Sequence, residues 1–165
     1  MQVAIRKYKE ADREYCRSLW RELTEWHREI YQDPTIGGEN PENHFDKHLT
    51  LVGPDNLWVA EYDAKVVGLA GLFARENEAE IEPFIVSKAH RGKGIGKQLL
   101  KTMVSEAQKL GVRFLCIKPV ARNTQAIKFL HEQGFRTIGE IELFIDFSAY
   151  RWKRGPKLFG CQFNY

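Results

Sequence analysis

Residues 78–111 read EAEIEPFIVSKAHRGKGIGKQLLKTMVSEAQKLG, and this stretch decides the fold. A strand carrying Glu80 and Glu82 leads into a basic, glycine-rich turn, and the turn opens an amphipathic helix. Gly92, Gly94 and Gly96 alternate with Lys93 and Ile95 behind Arg91. Glycine lets a backbone turn tightly and come close to a ligand. The helix that follows points its unpaired amides and the positive end of its dipole back at the turn. Such an arrangement binds anions, and phosphates above all. The helix is expected from Gly94 to Leu110, with Ile95, Leu99, Met103, Ala107 and Leu110 buried and Gly111 just past its end.

The elements around this stretch follow from periodicity. Val3 to Tyr8 alternates as a half-buried strand does. Asp12 is expected to cap a helix whose apolar face runs through Tyr15, Leu19, Leu23, Trp26 and Ile30. Residues 34–43, PTIGGENPEN, read as a loop, and a second helix is expected from Glu42 to about Leu51. Leu57–Tyr62 and Val66–Phe73 read as a hairpin turning at Asp63-Ala64, and Glu78–Val86 continues the antiparallel run. Val112–Ile117 is a short strand after the helix, so the strand–helix–strand order predicts that 78–86 and 112–117 are parallel neighbours. Asn123 is placed to cap a further helix ending at Gly134, and Phe135–Ile138 and Glu140–Phe147 read as the last strands. The expected class is α/β with α+β character: a mixed sheet, antiparallel first and locally parallel in the middle, with helices on both faces.

Composition bounds the rest. The 165 residues, 43% of them hydrophobic, suit one domain with a real core. No apolar run reaches the length of a membrane span, and the N-terminus lacks the apolar stretch of a signal peptide, so no membrane contact is expected and the cytoplasm is the expected location. Cys16, Cys116 and Cys161 are odd in number and far apart, which argues against a disulfide framework or a cysteine zinc site. His44 and His48 lie four apart, but Phe45 stands where a zinc protease needs Glu, so no metal is expected. The net charge of +3 is uneven, with seven acids against Arg28 between Glu22 and Asp46. That stretch reads either as a field for a cationic substrate or as a solvated helix face. From Ser148 to Tyr165 the chain is basic and aromatic without a clear period, and it is expected to pack on the 1–147 domain or on a partner subunit, which makes a homodimer one expectation. Four basic residues there make too weak a footprint to predict nucleic-acid binding.

Three glycine signatures compete for the turn. A P-loop fails, because Gln98 follows Lys97 and Arg91 stands where its first glycine belongs. A dinucleotide fingerprint fails, because Ile95 or Leu99 takes its third glycine position. The third pattern, R-x-x-G-x-G, is met by Arg91, Gly94 and Gly96. In the form VxxxxRGKGIGxxLL, from Val86 to Leu100, it resembles the acyl-CoA motif of the GNAT superfamily of N-acyltransferases. Asn123-x-x-Ala126-x-x-Phe129 followed by Gly134-Phe135 is similar to that family's second motif. The resemblance covers Val3 to Phe147 and implies a GNAT-like fold and acetyl-CoA as cosubstrate.

It also implies roles. The backbone of Arg91, Gly92, Lys93, Gly94, Ile95, Gly96 and Lys97 would hold the pyrophosphate. Phe84, Ile85 and Val86 would pair with the pantetheine arm as an added strand does, and strands 78–86 and 112–117 would splay to admit it. Asn123 and Phe129 would line the cofactor, although a plain helix cap and a core aromatic account for them equally. An amine must lose a proton as it attacks the thioester. Glu82 is the candidate base and Glu80 the reserve, both expected on one strand face with Phe84 and Val86. The Val86 N–H is the expected oxyanion donor. The acid departs from the family pattern: Leu130 stands where a tyrosine is common, leaving His131, Cys116, Tyr150 or solvent. Trp26, His27 and Tyr31 are expected to border the acceptor, a primary amine on a small molecule or protein. A non-catalytic acyl-CoA-binding regulatory module is the alternative that Leu130 motivates.

Overall fold

The computed structural model describes residues 3–165 and divides into two compact units, one running to Lys118 and one from Pro119 to Tyr165. In the first unit the elements are β1 (Ala4–Lys7), α1 (Arg13–Tyr31), α2 (Asn43–Val52), β2 (Leu57–Tyr62), β3 (Lys65–Arg75), β4 (Glu78–Val86), α3 (Ile95–Lys109) and β5 (Phe114–Cys116). They build one sheet in the order β1-β2-β3-β4-β5, antiparallel through β4 and parallel between β4 and β5. The β2–β3 turn has φ of +50° at Asp63 and +58° at Ala64, the two positive values that let a two-residue hairpin follow the sheet twist.

β3 is buried from Val66 to Leu72 because both of its faces are covered. Tyr8, Cys16, Leu19, Phe45, Leu57, Val59, Leu69 and Ile85 form the core under α1 and α2, and Ala60, Val67 and Ile95 form the core under α3. Helices therefore pack on both sides of a mixed sheet.

The expected face of the first helix forms, with Leu19 buried and Leu23 packed against the core, except at its start. Cys16, Leu19 and Thr24 are its buried residues, while Tyr15 is 46% exposed. At that start the small thiol of Cys16 is buried in place of the neighbouring Tyr15 ring. Burial pushes the Cys16 thiol up to about 12, so it behaves as a small hydrophobe. Asp12 does not cap α1. Its carboxylate accepts from Arg6 Nη1 at 2.7 Å and Nη2 at 2.9 Å and from the Lys9 N–H at 2.9 Å, a stronger set of partners than one helix amide. Leu110, at the frayed end of α3, is 55% exposed.

The second unit holds α4 (Thr124–Glu132) and a hairpin of β6 (Arg154–Leu158) and β7 (Cys161–Asn164). The Asn123 side chain caps α4 by accepting from the Ala126 N–H at 3.2 Å. The strands expected at 135–138 and 140–147 are not formed, and Ile138, Leu143, Phe144, Ile145 and Phe147 are exposed. Alternation reports which way side chains point, whereas a strand also needs a neighbouring ladder. The hairpin instead lies in the tail, turning at Phe159 and Gly160 with φ of +52° and +81°. Buried Arg122 lies 5.6 Å from the rings of Tyr150 and Trp152 and 5.9 Å from that of Tyr165.

Candidate cofactor and acceptor site

β4 carries the first half of the site. It pairs with β5 only through Glu78, Ala79 and Glu80, opposite Phe114, Leu115 and Cys116. Beyond Glu80 the strand continues to Val86 while its pairing with β5 ends, the splay that the GNAT resemblance implies. The Ser87 N–H donates to the Val67 carbonyl on β3 at 2.9 Å. Successive residues of a strand address opposite edges, so the N–H and C=O of Val86 face the side that β5 has left. Arg91 confirms this direction: its Nε donates to the Val86 carbonyl at 3.0 Å.

The glycine turn is the second half. Gly92 and Gly94 have φ of +76° and +79°, where any other residue is strained, and a Cβ on either would meet no atom within 4 Å. The space beside the turn is open. Gln98 N–H makes the bond onto the Gly94 carbonyl that starts the α3 ladder, so the amides of Ile95, Gly96 and Lys97 stand ahead of it. Arg91, Lys93 and Lys97 surround them with positive charge. Donors, dipole, cations and open space together fit a pyrophosphate.

The turn is also fastened to neighbouring elements. The Lys88 N–H donates to the Glu22 carboxylate, and Lys88 Nζ lies 3.6 Å from Glu29. Arg91 and Lys88 stack on Trp26 at 5.7 and 5.8 Å, and Lys93 stacks on Tyr62 at 5.4 Å. Trp26, expected at the acceptor, thus belongs to the surroundings of the turn. His27 is half-buried, and burial lowers its pKa, while Tyr31 lies in the last turn of α1. The acidic 22–46 stretch is largely paired: Arg28 with Glu25, Arg21 with Glu42, and Arg13 and Arg17 with Asp46. That pairing favours the solvated-face reading over a field for substrate.

The two glutamates are separated by a bulge. Leu72 pairs with Ile81 and Ala70 with Phe84, so Glu82 and Pro83 together oppose Gly71. Directly paired residues share a face, and Phe73 pairs with Glu80 while Gly68 pairs with Val86. Phe73 packs against the core under α1 and α2, whereas Val86 packs with the cluster under α3. The single face expected for Glu80, Glu82, Phe84 and Val86 is therefore broken, because an extra residue inverts the alternation. Glu80 is held by Lys118, with Nζ 2.9 Å from Oε2. Among the described residues the Glu82 carboxylate has no ion pair or hydrogen bond.

His48, weighed in the sequence only as half of a metal pair, sits elsewhere than on the surface. It is buried on α2, with its ring 5.1 Å from Trp20 and 5.4 Å from Phe73 and its Nε2 3.1 Å from the Glu82 carbonyl oxygen. Its spacing from Phe45 and Val52 was the available signal, since these three are the buried residues of α2 and share one helix face. Burial, and then the nearby Glu80, pushes the Cys116 thiol up, which works against a covalent route through its thiolate. In the second unit Leu130 is buried, His131 is exposed, and the Tyr150 hydroxyl accepts from Arg122 at 2.8 Å. Asn123 and Phe129 both lie on that unit's helix segment. No group of ligating side chains suited to a metal occurs among the described residues, and no helix there is long and apolar enough to cross a membrane.

Comparison with known proteins bears on this geometry. The sequence profile of the Acetyltransferase (GNAT) family matches residues 20–135, more than half of the chain. A probable N-acetyltransferase, camello, from Xenopus laevis is 34% identical over 58% of this chain and 46% of its own length. The L-methionine sulfoximine/L-methionine sulfone acetyltransferase of Salmonella typhimurium is 24% identical over 68% of this chain and 67% of its own. The PaiA N-acetyltransferase of Thermoplasma acidophilum, solved in complex with coenzyme A, shares the fold: TM-score 0.69 and 22% identity over 82% of this chain and 91% of that one. The chain spans less than half the length of camello and of two further curated relatives.

Proposed function

This chain belongs to the Acetyltransferase (GNAT) family, and we propose that it moves the acetyl group of acetyl-CoA to a primary amine by direct attack. One observation carries the reading: β4 runs on past the end of its pairing with β5 at Glu80 and leads through the short turn Lys88–His90 into the glycine turn at 91–97. An extended arm can add to that edge as a strand does, while the amides beyond it bind the phosphate end. Arg91, Lys93 and Lys97 balance the phosphate charge around the backbone of Gly92 to Gly96. Phe84, Ile85 and Val86 flank the arm. The cosubstrate supplies an acetyl carbon activated as a thioester.

The remaining chemistry falls to side chains and amides of β4. The Val86 N–H faces the open edge, where it can donate to an oxygen that gains charge. Glu82 accepts the proton of the incoming amine, because its carboxylate is unoccupied while that of Glu80 is held by Lys118. Glu80 then serves to keep Lys118 in place beside the acceptor. A thiolate is a tolerable leaving group, so no side-chain acid is needed where Leu130 stands. The Salmonella relative, named for acetylating methionine derivatives, supports a small amine as acceptor.

Amine-dependent release of free CoA thiol tests this, measured over a panel of amino acids, polyamines and peptides with mass spectra of the products. Thiol release with an acceptor one acetyl group heavier is expected. CoA binding without thiol release from any amine contradicts it.

A further inference from the structure

We propose that His48 is a positioning residue for this transfer, holding the β4 bulge so that Glu82 is aimed at the acceptor. The inference rests on the acetyltransferase reading above. It starts from a chemical mismatch: a polar ring, 8% exposed, sits between Trp20 and Phe73, where a phenylalanine would pack as well. The ring earns its place through one bond, Nε2 to the Glu82 carbonyl at 3.1 Å. A carbonyl only accepts, so the proton is on Nε2 and the ring is neutral at Nδ1.

That carbonyl belongs to the bulge. Glu82 and Pro83 oppose Gly71 alone, and the extra residue of a bulge is left without its ladder partner. His48 supplies the missing donor from α2. Gly71 closes the other side, since a Cβ there would lie 2.2 Å from the same oxygen. The peptide that carries Glu82 is thus clamped between the bare backbone of β3 and an imidazole. Without the donor the Glu82 carbonyl loses this bond, and the bulge can relax by turning Glu82 away. The cofactor turn at 91–97 is a separate structure and keeps its affinity.

The test compares His48→Phe, which keeps an aromatic ring, with His48→Gln, which keeps a donor. For His48→Phe, kcat is expected to fall about tenfold or more, on the scale of losses caused by small misplacements of a reacting group. KM for acetyl-CoA and CoA affinity by calorimetry should stay at wild-type values. His48→Gln should recover most of kcat. In a Glu82→Gln background, His48→Phe should cost little further, because the two act through one group. Full additivity, or equal loss in both His48 variants, overturns the positioning role. Hydrogen exchange at the Glu82 and Phe84 amides gives a readout that needs no turnover. It should accelerate in His48→Phe and not in His48→Gln, and unchanged exchange in His48→Phe also overturns the proposal. A wild-type chain without amine-dependent thiol release would instead sink the acetyltransferase reading, leaving the exchange result to decide the clamp.

Discussion

Arg91 Nε donates to the Val86 carbonyl at 3.0 Å, so the cation of the glycine turn is tied to the last residue of the strand before it. One side chain thereby sets the spacing between two halves of the site, the open strand edge and the phosphate cradle. Arg91→Ala is expected to weaken CoA binding about tenfold or more, since hydrogen bonds to charged groups contribute about 1.5–3 kcal/mol. Arg91→Lys keeps the charge but loses the directed Nε–H, and should fall between the two. Calorimetric titration with CoA checks both.

Two glycines predict opposite kinds of damage. Gly94 has φ of +79° and open space at its Cβ position, so Gly94→Ala should cost only about 1–2 kcal/mol of backbone strain yet lower CoA affinity sharply. At Gly71 the new Cβ would lie 2.2 Å from the Glu82 oxygen. Gly71→Ala must displace the bulge, at about 1–3 kcal/mol for overpacking, and a drop of several degrees in melting temperature should accompany lost kcat. Thermal melts beside CoA titrations separate the two cases.

Glu82→Gln should lower kcat chiefly at neutral and lower pH, where the amine arrives protonated, while CoA affinity is unchanged. Glu80→Gln breaks the 2.9 Å pair with Lys118 and should alter the acceptor KM more than the pH profile. Full pH–rate profiles of both variants distinguish these roles. A Glu82→Gln profile parallel to that of the wild type would remove Glu82 from the base role.

Burial lowers the pKa of His48 and of His27, and for His48 it outweighs the opposing pull of the Glu82 charge and carbonyl. Both rings are thus neutral in the folded chain where the unfolded chain already binds protons. Stability should be fully present above the ordinary histidine value of about 6.5 and be lost as pH falls through it toward the lower folded values. Urea unfolding at successive pH values from neutral to mildly acid should show this decline, and His48→Gln should flatten it.

Much of this was legible in the sequence because local chemistry dictated it. The 78–111 stretch, the Asp63-Ala64 hairpin and the parallel pairing of β4 with β5 all follow from short-range rules, namely glycine φ, hydrophobic period and crossover geometry, whereas the divergence of β4 from β5 was implied only by the GNAT resemblance. The α1 stripe through Leu19 and Leu23 holds, and only its first position was misread, because a buried cysteine is a weak hydrophobic signal beside an exposed tyrosine. The bulge at Glu82 was invisible, since it depends on how two strands pair and not on either strand alone. With it went the true facing of Glu80 and the partner of His48. Residues 135–147 carried strand alternation but found no ladder, and the tail formed the hairpin instead.

The most direct measurement is CoA titration into the wild-type chain and into Gly94→Val, followed by calorimetry with melting temperature as control. Valine at φ of +79° places a branched side chain in the open space beside the amides of Ile95 to Lys97. Saturable CoA binding is expected of the wild type, and its loss in a variant that still melts cooperatively. Wild-type affinity in a folded Gly94→Val would contradict the claim that this turn cradles the cofactor.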